Sequence, residues 1–145
     1  MMRLVLPVVV VLTTLGLSGS SFAANGVSWK AALSAAQEIP KQVVTNTAGQ
    51  GTFTGNLSGS KLKFKLAFSG LTGPATAAHI HLGGMGKAGN VLVPLCAPCK
   101  SPVTGSVTVS AAVQKDFSKH LLYVNVHTAK NPNGEIRGQL GPAVP

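Results

Sequence analysis

Acidic residues are almost missing from this chain. Glu38, Asp116 and Glu135 stand against twelve lysines and arginines in 145 residues. Hydrolysis by paired carboxylates therefore has little to work with. Asp116 is the only aspartate and no serine sits in a Gly-x-Ser-x-Gly elbow, so a nucleophilic triad has no candidate members. Aromatics are also few, at 5%. Trp29, Tyr123 and the five phenylalanines are not interleaved with the basic groups, and specific nucleic-acid binding is not expected. No second long apolar run follows the N-terminal one, so no transmembrane segment is expected after processing.

The N-terminal run is a different matter. Arg3 supplies a short basic start, Leu4 to Leu17 is apolar, and Ser21-Phe-Ala23 fits a small-x-small cleavage site. Pro7 and two threonines interrupt the run, which is shorter than the about 20 residues a spanning helix needs. The three-part layout predicts a signal peptide over residues 1–23 and export to the periplasm or the extracellular space. Residues 24–145 then form a single domain of ordinary size for one β core.

Along that domain, turn signals separate short alternating segments. Val27 to Ala36 is a first strand that Gln37-Glu-Ile-Pro40 ends, because proline cannot donate to a ladder. Gly51 to Leu57 follows a polar linker. Lys61 to Ser69 alternates cleanly, with Leu62, Phe64, Leu66 and Phe68 on one side and Lys61, Lys63 and Lys65 on the other. Ala75 to Leu82, Val91 to Leu95 and Ser106 to Ser110 read as further strands. Ala111 to His120 has room for one or two helical turns with Val113 and Phe117 on one face. Tyr123 to Leu140 closes the chain as a hairpin around Asn131-Pro-Asn-Gly134. About seven or eight strands with one short helical turn predict an all-β fold, an antiparallel β-sandwich or Greek-key barrel.

Histidines carry the most specific chemistry. His79 and His81 are one residue apart on a predicted strand, so both imidazoles leave the same face about 7 Å apart. In the closing hairpin Tyr123, Asn125 and His127 share a face opposite Val124 and Val126. Were the two strands neighbours, His127 would complete a site of three neutral nitrogens. Such a set suits copper ahead of zinc, since copper tops the divalent affinity order. Asn125, Glu135 and Arg137 are the candidate outer-shell residues, of which Glu135 or Asn125 would fix an imidazole tautomer. The competing account is a metal-free network in which these polar groups satisfy one another. His120 is expected on the surface.

Three other features have two readings or more. Cys96-x-x-Cys99 fits a local disulfide in an exported protein, ahead of a redox pair or thiolate ligands. Gly83-Gly-Met-Gly-Lys-Ala-Gly89 lacks the Gly-Lys-Ser/Thr ending of a phosphate loop and reads as a rim or wide turn. The row of Lys61, Lys63 and Lys65 is either a solvated face that discourages edge pairing or a strip for anions. The formal charge of +9 favours an anionic envelope polysaccharide, matrix or protein partner.

Five stretches together resemble the CHRD domain, first noted in chordin and widespread in bacterial exported proteins. They are Gln37-Glu-Ile-Pro40, Gly70-Leu71, Ala78-His-Ile-His81, Tyr123-Val-Asn-Val-His-Thr128 and Gly134-Glu-Ile-Arg-Gly-Gln-Leu140. The resemblance implies an extracellular β-rich module; chordin's growth-factor antagonism is not carried over. A second likeness is to the Cu/Zn superoxide dismutase sandwich, which also takes copper ligands from a His-x-His strand and a later histidine. That pattern implies His79, His81 and His127 as copper ligands. The bridging histidine and zinc loop have no counterpart, so it implies a mononuclear site, with copper redox activity open and dismutation disfavoured. Two functions are thus in view: an exported copper-binding module, and a metal-free interaction domain that uses its basic surface.

Overall fold

The computed structural model describes residues 26–40 and 48–143, so the leader segment and part of the linker after Pro40 lie outside the described residues. In chain order the strands are β1 (Val27–Ser34), β2 (Gln50–Ser58), β3 (Lys61–Ser69), β4 (Ala75–Leu82), β5 (Val91–Cys96), β6 (Val103–Thr108), β7 (Leu122–Thr128), β8 (Ile136–Gln139) and β9 (Gly141–Pro142). One 3-10 turn, Ala35–Gln37, follows β1, and one helix, α1 (Ala111–Ser118), precedes β7. The fold is all-β, as the alternation predicts.

Every ladder is antiparallel, and the strand order is β5-β4-β7-β8-β1-β2-β3-β6, with β9 also on β1. The order falls into two four-stranded halves. They are joined at β8 and β1 by a single register pair, Ser34 with Arg137. The far ends β5 and β6 approach each other without a ladder, so the sheet curls into a nearly closed barrel. A sheet that closes on itself hides its unpaired edges from other chains.

Alternation decides what fills the interior. Leu33 from β1, Phe53 from β2, and Leu62 and Leu66 from β3 point inward and are buried. They meet Ala78 and Ile80 from β4, Val124 and Val126 from β7, and Ile136 from β8. Helix α1 plugs one end: Ser110 Oγ accepts from the Val113 amide at 3.2 Å, capping the first turn. Val113 and Phe117 face the core, where Phe117 packs 5.1 Å from the Trp29 ring. The boundary of β6 differs from expectation. The strand runs over Val103–Thr108 rather than 106–110, because it begins directly after Pro102 at the sheet edge and Ser110 is taken as a helix cap.

Candidate metal centre

Pairing of β4 with β7 brings the two histidine-bearing strands side by side. His79 lies opposite Asn125, His81 opposite Tyr123 and Ala77 opposite His127. Period-two alternation sends Ala78, Ile80, Val124 and Val126 to the core and the histidines to the outer face. That outer face is not open to solvent. All seven residues of β7 are buried, and His81 and His127 are each 8% exposed.

The covering is made by loops, and the polar side chains themselves hold it down. Arg137 Nη2 donates to the carbonyls of Lys87 at 2.7 Å and Gly84 at 3.2 Å. Gln139 Nε2 donates to the Gly83 carbonyl at 3.0 Å. The Tyr123 hydroxyl accepts from the Gly89 amide at 3.2 Å. Glycine at position 89 is required by space, since a Cβ there would lie 1.9 Å from the Leu82 carbonyl oxygen. On the other side the Asn131–Gly134 turn closes in, with Gly134 at φ +127° and pressed against the Asn125 amide. The glycine-rich segment is thus a wide turn that roofs a polar face.

Under this roof three imidazoles converge. One ligand nitrogen from each of His79, His81 and His127 lies within 4.8 Å of the other two. His79 Nδ1 and His127 Nε2 are 3.1 Å apart. Backbone carbonyls hold the outward nitrogens: His81 Nδ1 is 3.0 Å from the Gly89 oxygen, and His127 Nδ1 is 3.0 Å from the Pro132 oxygen. A carbonyl can only accept, so each of these Nδ1 atoms carries the proton and each Nε2 presents a lone pair inward. His81 Nε2 is buried and has no hydrogen-bond partner. An imidazole nitrogen left so is costly, and a cation is one group that would satisfy it. Burial pushes all three histidines below the ordinary imidazole range, His127 to about 4. They stand neutral at neutral pH, the form a metal needs.

These residues fit a metal ion. Bonds near 2 Å to each nitrogen put ligand nitrogens about 3–4 Å apart around one ion. The cluster spans up to 4.8 Å, so closure asks for a contraction of about 1–2 Å. The three candidate outer-shell residues have separate tasks. Asn125 Nδ2 donates to Glu38 Oε2 at 3.3 Å. Arg137 lies over the Tyr123 ring, 3.6 Å from its centroid, while that ring stacks on His81 at 5.0 Å. Glu135 takes hydrogen bonds from the Thr72 amide (2.6 Å), Thr72 Oγ1 (2.6 Å), Thr128 Oγ1 (2.5 Å) and Asn131 Nδ2 (3.1 Å). Burial raises its pKa, but these donors together outweigh burial and hold the carboxyl below the usual range. It ties Thr72 of the loop after β3 to Thr128 and Asn131 of the closing hairpin, and none of these hydrogen bonds comes from an imidazole.

Glu38 is a member of this face that strand patterning does not find. It is 1% exposed, and Oε1 has no partner, nor has Asn125 Oδ1 or Arg137 Nη1. Burial pushes its carboxyl up to about 7, against the Asn125 hydrogen bond and the Arg137 charge, which pull it down. Its one signal in the sequence is rarity, as one of three acids in a basic chain. Cys96 and Cys99 form a disulfide at the end of β5. His120 is exposed beside Trp29, away from the cluster.

A nearly closed antiparallel barrel with a roofed three-histidine face defines a small all-β domain with one polar centre. The chain belongs to the CHRD domain family, whose model matches residues 29–140. No curated protein and no solved structure gives a match.

Proposed function

We propose that this protein is an exported copper-binding module that holds one ion through His79, His81 and His127. The observation that carries the reading is the unpartnered, buried Nε2 of His81 beside the inward nitrogens of the other two histidines. A metal-free network leaves that atom unsatisfied, while the Nδ1–H groups already spend their donors on Gly89 and Pro132. Three neutral imidazoles favour copper over zinc by the divalent affinity order. Export to the periplasm or beyond follows from the three-part leader, and an oxidising compartment agrees with the Cys96–Cys99 disulfide. Among the described residues no helix is long and apolar enough to cross a membrane.

The test is a thermal-shift titration of the purified protein with copper and with zinc. A ligand held only by the native state at 1,000 times its Kd stabilises by about 4 kcal/mol, a shift of roughly 10–20 °C for a domain of this size. Copper is expected to give the larger shift, at one equivalent. A protein that ignores both metals, or a His79→Ala, His81→Ala, His127→Ala triple variant that still responds, contradicts the proposal.

A further inference from the structure

The opposite side of the barrel carries a second set of polar groups, all of them exposed. On the outer face of β1, β2 and β3, Lys30 stands in register with Thr54 and Lys65, and Ser28 with Asn56 and Lys63. Thr104 and Ser106 of β6 continue the same two rows. Lysines two residues apart on β3 are spaced about 7 Å, and Lys30 lies two strands across from Lys65, about 10 Å away. No acid interrupts this face. Glu38 and Glu135 are buried on the other half, and Asp116 is on α1.

We propose that this face docks an acidic polysaccharide. Its lysines match repeated carboxylate or sulfate groups along an extended chain, and its hydroxyls, with Asn56 Oδ1, match sugar hydroxyls, while Asn56 Nδ2 donates to the Gly26 carbonyl and Ser28 Oγ. The face carries no aromatic ring, which disfavours single-stranded nucleic acid, whose bases need stacking platforms. Of the large exposed apolar residues, Leu82, Met85, Val91 and Leu121 lie on the other half or before β7, and only Val27 borders this face. A lipid surface would call for an apolar wedge as well as charge. The proposal is independent of the metal centre.

The experiment measures retention of purified protein on immobilised polygalacturonate, with neutral dextran, phosphatidylglycerol vesicles and single-stranded DNA as comparisons. Lys30→Gln, Lys63→Gln, Lys65→Gln together are expected to weaken polygalacturonate binding tenfold or more and to flatten its salt dependence. Lys115→Gln, Lys119→Gln, Lys130→Gln, which remove the same charge from exposed sites elsewhere, are expected to change it less than threefold. Thr54→Val with Asn56→Leu keeps every charge and is expected to weaken binding two- to fivefold. All these positions are exposed, so melting temperature serves as the folding control. The proposal is overturned by equal losses in the two lysine triples. It is equally overturned by absent polygalacturonate binding, or by vesicles or DNA that bind as tightly at the same salt.

Discussion

The two halves of the barrel treat their outer faces in opposite ways. On β4-β7-β8 the outward residues are His79, His81, Tyr123, Asn125, His127 and Arg137, and loops cover them. On β1-β2-β3 the outward residues include Lys30, Lys61, Lys63, Lys65, Thr52, Thr54, Ser28, Asn56 and Ala32, and all of these are exposed among the described residues. An exposed polar group exchanges hydrogen bonds with water at little net cost, whereas a buried one without a partner costs about 1–3 kcal/mol. Of the five buried side-chain polar atoms without a partner among the described residues, His81 Nε2, Glu38 Oε1, Asn125 Oδ1 and Arg137 Nη1 gather at the roofed face, and the fifth is Trp29 Nε1 on β1.

Substitutions sharpen this contrast. Glu135→Ala is expected to be the most damaging of these changes, because four donors on Thr72, Thr128 and Asn131 lose one acceptor. Hydrogen bonds to a charged group are worth about 1.5–3 kcal/mol each, so denaturant unfolding is expected to show a loss of 3 kcal/mol or more, on the order of two such bonds. A loss under about 1 kcal/mol would mean that the loop after β3 is not held there.

Glu38 gives the next largest effect, and it depends on pH. Its carboxyl is raised from 4.5 to about 7, so between those values the folded chain holds a proton that the unfolded chain releases. The favourable contribution of neutral Glu38 is complete below about pH 4.5 and is lost as pH rises towards 7. At one pKa unit per 1.36 kcal/mol the swing is at most roughly 3 kcal/mol. Glu38→Gln, which stays neutral, is expected to remove it, so the stability difference between variant and native protein should grow from pH 4.5 to pH 7. Glu135, with its carboxyl held low, acts the other way: its contribution is present above the unfolded value and fades as pH falls below it. A pH-independent difference for Glu38→Gln would contradict its burial in neutral form.

At the small end, Tyr123→Phe removes the hydroxyl that meets Gly89 and is expected to cost about 1 kcal/mol, read in the same unfolding experiment. Lys63→Gln on the open face is expected to stay within about 0.5 kcal/mol. A larger cost for Lys63→Gln would erase the distinction between the two halves.

How far the chain could be read follows the same division. Wherever one face is apolar and the other polar, as in Lys61–Ser69 and Tyr123–His127, alternation yields strand, register parity and core residues together. Convergence of the histidines was legible only as a condition, since His-x-His spacing places two imidazoles on one face but not β7 beside β4. What alternation misses is the roof. The role of Gly83–Gly89, the Pro132 carbonyl and Glu38 depends on how loops fold back over a finished sheet, and loop backbones leave no periodic trace. Glu135 illustrates the limit: parity puts it with Arg137, but β8 begins only at Ile136, and Glu135 sits in the turn with partners from another loop.

The central claim is that three imbedded imidazoles hold one ion, and electron paramagnetic resonance of the protein with one equivalent of Cu(II) tests it most directly. The expected spectrum is a single copper species with hyperfine structure from three nitrogens, reduced in His81→Ala to fewer nitrogens and much weaker binding. A spectrum of free or heterogeneous copper, or one identical in His81→Ala, would contradict the account.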